Sequence, residues 1–392
     1  MSDASVAGLL ERFRNAFKSD AEVIVRAPGR VNIIGEHTDY NHGFVLPMAL
    51  ERVTAIAARR RGDRRLNAFA ADLGAHAVAE LDRRVRNPEA PWMDYLVGVA
   101  DELAKLDLPL AGADLLISGD VPIGCGLSSS AALEMAALTL FEHLGGFQVE
   151  GAEGPRLGQR VENVFLGLST GIMDQFISRM GRAGHALFLD CRSFAYDLIP
   201  ITSDNAVFVV ANTGVSRGLT ASKYNERVAE CREAVAALRK VTGKEGTHLR
   251  DFSLNELSVC RTALREVAYR RARHVITENA RTEAACAAMR QGDLNRLGAF
   301  MTASDASLRE DYEVTCSELD AMTRIARELP GCLGARMTGA GFGGCTINLV
   351  ETAHAADFGA RLLSAYENAT GRKGDIIVSK PGDGASVAYA AH

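Results

Sequence analysis

A run of small and hydroxyl residues opens onto a long apolar segment in GDVPIGCGLSSSAALEMAALTLFEHLGG, Gly119 to Gly146. The pattern predicts a strand ending in ADLLISGD. A turn follows through Gly124, Cys125, Gly126 and Leu127, then a helix over Ala131–His143 closed by Gly145 and Gly146. Such a junction suits an anion. Glycines let the backbone approach closely, and Ser128, Ser129 and Ser130 present hydroxyls beside unpaired N–H groups. The helix start adds about half a positive charge. The hydroxyls are also hard-oxygen ligands suited to Mg²⁺. No Lys follows the glycines, so this is not a Walker A loop, nor is the spacing that of a dinucleotide fingerprint. The same residues also fit a serine-capped helix after a glycine turn.

A second dense stretch, GRVNIIGEHTDY, packs Arg30, Glu36, His37 and Asp39 around Gly35 after an apolar run. A metal site, a general acid/base site and a surface turn after a buried strand all fit it. In GLSTGIMDQFISRMG, Asp174 is flanked by apolar residues and is costly to bury without partners. It reads either as the N-cap of a helix or as a carboxylate aimed at a substrate hydroxyl. Upstream, RLGQRVENVFLG reads as a short helix bearing Glu162, either solvated or a Mg²⁺ ligand. A third glycine cluster, MTGAGFGGCTINLV, demands unusual backbone angles or a close approach. It falls in the second half of the chain, where it can face the first glycine loop across a cleft.

Between these motifs, AEVIVRAP, GFVLPMAL and VTAIAAR read as strands, as do Ala206–Val210, GCTINLV and DIIVSK. Helical spacing marks Asp94–Leu106, Lys223–Leu238, Arg281–Met289, Glu318–Glu328 and Ala356–Tyr366. A polar turn at Ser203–Asn205 suggests halves of 1–204 and 205–392, packed closely with a site between them. The basic run ARRRGDRR is expected to be a solvated hairpin tip.

With 47% hydrophobic and 24% charged residues the chain is globular rather than disordered. A net charge of −5 provides no field for nucleic acid or anionic membrane. No apolar run is long enough to span a membrane, and Asp3 and Glu11 argue against a secretory or transit segment. The eight cysteines form no CxxC pair, so reduced thiols in a cytoplasmic protein are expected.

Together these segments resemble galactokinases of the GHMP sugar and metabolite kinase superfamily. The resemblance is carried by RAPGRVNIIGEHTDYNHGFVLPMAL, VPIGCGLSSSAALEMA, GIMDQF and MTGAGFGGCTINLV, in the family's order. It implies an α+β, two-lobed GHMP kinase fold. The N-terminal lobe would resemble domain 2 of ribosomal protein S5, and the C-terminal lobe a ferredoxin-like GHMP domain. It implies transfer of phosphate from ATP to the C1 hydroxyl of α-D-galactose, with Mg²⁺, in a monomer. Asp174 would be the catalytic carboxylate and Arg30 its charged neighbour. Glu36, His37, Asp39, Gly171 and Tyr224 would contact sugar hydroxyls. Gly124 to Ser130 would hold the nucleotide phosphates, Ser130 and Glu162 the Mg²⁺, and Trp92 and Tyr95 would lie near the adenine or pack on a helix face. Two positions depart from the family: Lys223 stands where Glu is usual, and Asp305 where His is common. Both are expected to bear on the outer wall of the sugar pocket. A kinase for a related sugar and a non-catalytic sugar sensor are the competing readings.

Overall fold

A computed structural model describes residues 5–201, 205–215 and 220–391. The expected boundary at Ser203 and part of the loop after Thr213 lie outside the described residues. Strands β1 (Val23–Ile34), β2 (Phe44–Arg60), β3 (Arg65–Ala70), β4 (Ala75–Glu80) and β5 (Ala113–Gly119) join β12 (Ser386–Ala390) in the order β12-β1-β2-β5-β3-β4. Strand β6 (His185–Asp190) pairs with the start of β2 and with β7 (Tyr196–Pro200). A second, antiparallel sheet has the order β11-β8-β10-β9, from β8 (Ala206–Asn212), β9 (Cys332–Thr338), β10 (Cys345–Glu351) and β11 (Asp375–Val378).

The first sheet corrects two expectations. GFVLPMAL and VTAIAAR are one 17-residue strand, not two. Pro47 is accommodated because the β1–β2 ladder is irregular between Asn32 and Ile34. The basic turn after Arg60 is no hairpin tip, because β5 lies between β2 and β3, antiparallel to one and parallel to the other. Its charges are paired: Arg61 with Asp63 and Asp114, Arg64 with Asp82, Arg65 with Glu80.

The helix Ser129–Gly145 packs on β1 and β2 and is buried along almost its whole length. Burial on most sides explains its richness in Ala, Leu and Met, broken by the buried Glu134 and Thr139. Gly146, at φ 68°, closes it in the left-handed conformation. In the second half the helix expected over Arg281–Met289 extends over Glu266–Arg290. Buried polar residues Arg271, His274 and Glu278 interrupt its apolar periodicity. One apolar core joins the sheets: Val31, Ile33, Leu46 and Met48 pack with Phe208, Val210, Ile347 and Leu349. The two sheets therefore share packed side chains.

Candidate active site

Arg30 projects from the middle of β1, and Asp174 lies in the first turn of the helix Met173–Met180. Ile172, not Asp174, occupies the N-cap. Arg30 donates from Nε to Asp174 Oδ1 at 2.7 Å and from Nη2 to Oδ2 at 2.6 Å. Its Nη1 donates to the Gly126 carbonyl at 2.6 Å. Such a two-pronged contact fixes a carboxylate in plane as well as in position. The Ser128 hydroxyl also donates to Asp174 Oδ2. Ser128 reaches it from a left-handed conformation, φ 62°, between Gly126 at φ 77° and the helix start. Its role as a carboxylate anchor was invisible in the sequence, where it counted as one of three loop serines. Burial disfavours the Arg30 charge, but Asp174, Glu36 and Asp39 outweigh it and hold the guanidinium ionised.

Beside this pair lie the residues of GEHTDY. Asp39 packs its carboxylate over Gly171, where an added Cβ would sit 1.7 Å from Oδ2. Burial, then the Asp174 charge, pushes Asp39 up to about 7. Glu36 accepts from the Asn32 side chain and from the backbone N–H of Gly339, and Arg336 lies 3.5 Å away. Burial pushes the Glu36 carboxyl up, against the pull of Arg336 and Arg30. His37, at φ 63°, sets its ring against Tyr40, Tyr224 and Tyr312. Burial, and then the nearby His274 and Arg227, hold it well below the usual imidazole range. Tyr224 also meets Tyr40 ring to ring, and burial raises its phenol well above the ordinary range.

Three residues here escaped sequence reasoning. Asn32 sits inside an apolar strand, while Arg336 and Tyr312 come from segments far away in the chain. Arg336 is fully buried and donates to the Asn32 and Ile33 carbonyls at 2.8 and 3.2 Å. Asn32 Oδ1, His37 Nε2 and Arg336 Nη2 are buried without a hydrogen-bond partner among the described residues. Unsatisfied polar atoms gathered at one place are what a polar ligand satisfies.

On the other side of Asp174, Gly124 and Gly126 both adopt positive φ, at 76° and 77°. The loop leads to Ser129 and Ser130 at the open start of the long helix. Ser130 donates to Glu162 at 3.2 Å. Glu162 stands in a π-helical turn, Val161–Phe165, that widens the preceding helix rather than on a plain α-helix. Tyr95 feels the Glu162 charge: burial first, then Glu162 and Glu134, pushes its phenol up to about 12. Trp92 is half-buried against the first-lobe core. The third glycine cluster does approach the first loop. The Cys345 thiol donates to the Cys125 carbonyl at 3.3 Å, and the Asn212 amide lies 3.1 Å from Cys125 Sγ.

The two departures fall in different surroundings. Asp305 is buried behind β9, bonded to Arg327 at 2.8 Å and to the Met337 N–H at 3.2 Å. It anchors a helix to that strand. Lys223 sets its ammonium 4.7 Å over the Phe342 ring of the third glycine cluster. Its base-for-acid change is therefore absorbed by an aromatic face.

Three family models match the chain: a galactokinase galactose-binding signature over residues 11–60, the GHMP kinase N-terminal domain over 94–182, and the GHMP kinase C-terminal domain over 285–368. A galactokinase of Chloroflexus aurantiacus is 45% identical, with 97% of each chain covered. Human galactokinase is 41% identical over 96% of this chain and 94% of its own. The solved structure of Lactococcus lactis galactokinase complexed with galactose superposes with a TM-score of 0.93 at 36% identity, covering 97% of this chain and 99% of that one. Mevalonate kinase from Methanococcus jannaschii, at 18% identity, shares the fold with a TM-score of 0.63, over 93% of this chain and 99% of its own.

Proposed function

The chain belongs to the galactokinase family of the GHMP kinases, and from that premise we propose how its own residues carry phosphate from ATP to galactose. It is an enzyme that phosphorylates galactose. We assign the sugar to the cluster of Glu36, His37, Asp39, Gly171 and Tyr224, and the nucleotide phosphates to Gly124 through Ser130. Trp92 and Tyr95 are assigned to the adenine side. The lobes are taken as 1–204 and 205–392, with β12 returning to the first sheet.

The observation that carries this assignment is the Arg30–Asp174 clasp. It stands between the glycine loop, through Gly126 and Ser128, and the sugar cluster, through Asp39. In this reading Asp174 faces the C1 hydroxyl. Its two oxygens are fixed by Arg30 and Ser128, so it accepts or orients the C1 proton at a set angle. Arg30, the helix N-terminus and the loop N–H groups supply positive charge where phosphoryl transfer needs it. The buried Glu36 and the half-buried Asp39 accept bonds from sugar hydroxyls, and a site built this way rejects analogues lacking them.

Mg²⁺ fits the donors present. Ser130 and Glu162 offer hard oxygens side by side. Among the described residues no group of three or more His, Cys, Asp or Glu could hold a metal. The ion is proposed to be held by these two residues together with the ATP phosphates, whose charge it would neutralise. We propose a monomer working in the cytoplasm, where its eight cysteines, none of them in a disulfide, would stay reduced.

The test is ADP release from purified protein with ATP, Mg²⁺ and a panel of sugars. Turnover is expected on galactose and not on galacturonate, because Glu36 and Asp39 would repel an added carboxylate. Turnover on arabinose with none on galactose would overturn the assignment.

A further inference from the structure

Behind His37 runs a line of hydrogen-bonding groups that none of these roles uses. His37 Nδ1 lies 2.9 Å from the Tyr40 hydroxyl. That hydroxyl lies 2.7 Å from the Tyr312 hydroxyl, which in turn lies 3.2 Å from Cys231 Sγ. At the far end the Asn41 amide donates to Cys231 Sγ at 3.7 Å and to the His37 carbonyl at 3.0 Å. His37, Asn41, Cys231 and Tyr312 are all buried.

The distances alone leave the donors open, but one order gives every proton of the line an acceptor among the described residues. An amide nitrogen only donates, so the sulfur accepts from Asn41. The acceptor within reach of the thiol proton is then the Tyr312 oxygen. Tyr312 in turn gives its proton to Tyr40, and Tyr40 gives its own to His37 Nδ1. The reverse order would leave the buried thiol proton without an acceptor among the described residues. Burial keeps the thiol and both phenols protonated, with Cys231 pushed up to about 11. It keeps the imidazole neutral.

We infer that the Cys231–Tyr312–Tyr40 line is a positioning device that holds His37 with its proton on Nε2, presented to the sugar as a hydrogen-bond donor. The inference rests on the sugar assignment above and deepens it. Glu36 and Asp39, once ionised, can only accept. A sugar hydroxyl both donates and accepts. The Nε2–H supplies the donor that two carboxylates lack, so one hydroxyl can be held from both sides. Neither Tyr312 nor Cys231 needs to touch the substrate for this.

The test is nitrogen NMR of the full chain labelled with ¹⁵N-histidine, without sugar and near neutral pH, with His37 identified by the signals lost in His37→Gln. The expected spectrum shows one neutral tautomer, protonated at Nε2. In Tyr40→Phe the ring should populate both tautomers, and the KM for galactose should rise about tenfold for the lost directional bond. A proton on Nδ1 in the unaltered protein would overturn the inference, as would an unchanged single tautomer in Tyr40→Phe. The unaltered protein alone decides the direction, so a variant that misfolds does not remove the test. Absence of galactose turnover would strike the sugar assignment only, because the spectrum is taken on the free protein.

Discussion

Arg30 grips Asp174 with two nearly parallel hydrogen bonds, 2.7 and 2.6 Å long, and holds the Gly126 carbonyl with its remaining nitrogen. One side chain thus ties the acid to the nucleotide loop. Lysine cannot reproduce that fork. We expect Arg30→Lys to lower kcat about 100-fold, equivalent to about 3 kcal/mol of lost transition-state stabilisation. Steady-state kinetics with both substrates varied would check this. A kcat close to that of the unaltered protein would show that a bare positive charge is enough.

Asp39 sets the pH response. Its carboxyl titrates at about 7 in the folded protein, raised by burial and then by Asp174, against an ordinary value of 3.8. Below that value it is neutral; above it, it is the ionised acceptor a sugar hydroxyl needs. The KM for galactose should therefore fall about tenfold between about pH 6 and about pH 8. The sign for stability is opposite. Because the folded pKa is raised, the folded state holds this proton more tightly than the unfolded chain. Stability conferred by the proton is full below the unfolded pKa and is lost as pH rises through about 7. The whole shift is worth at most about 4 kcal/mol. Asp39→Asn should accordingly raise Tm at pH above 7 while weakening sugar binding and flattening its pH profile. A lower Tm for that variant in alkaline buffer would contradict the assignment of a strained carboxylate.

Gly171 is required by space. A methyl there would stand 1.7 Å from Asp39 Oδ2 and 2.1 Å from its Cγ. The half-buried carboxylate would have to swing away, at about 1–3 kcal/mol. Gly171→Ala should raise the KM for galactose at least about tenfold while leaving the KM for ATP near its original value. Equal losses for both substrates would point to a collapsed site instead.

Much of this site is legible in the sequence because its chemistry is local. GEHTDY, the glycine-serine loop and GIMDQ each concentrate polar or conformationally special residues against an apolar background. The rest is contributed at a distance. Arg336 stands in β9, whose glycine and buried polar residues spoil any strand pattern. Tyr312 ends a π-helical turn that no hydrophobic period announces. Strand β12 is short and half-exposed, and only its pairing with β1 defines it. Ser128 shows a further limit. Its place in the loop was evident, but the left-handed backbone that aims its hydroxyl at Asp174 was not.

The central claim is that Asp174, clasped by Arg30, acts on the sugar hydroxyl during transfer. Asp174→Asn keeps the shape and removes the charge. The direct measurement is turnover of galactose by this variant, with galactose binding followed by calorimetry on the same sample. The account predicts retained binding and a loss of turnover of about 10²- to 10⁴-fold, the range for a positioned acid or base. Turnover within a few-fold of the unaltered protein would contradict it.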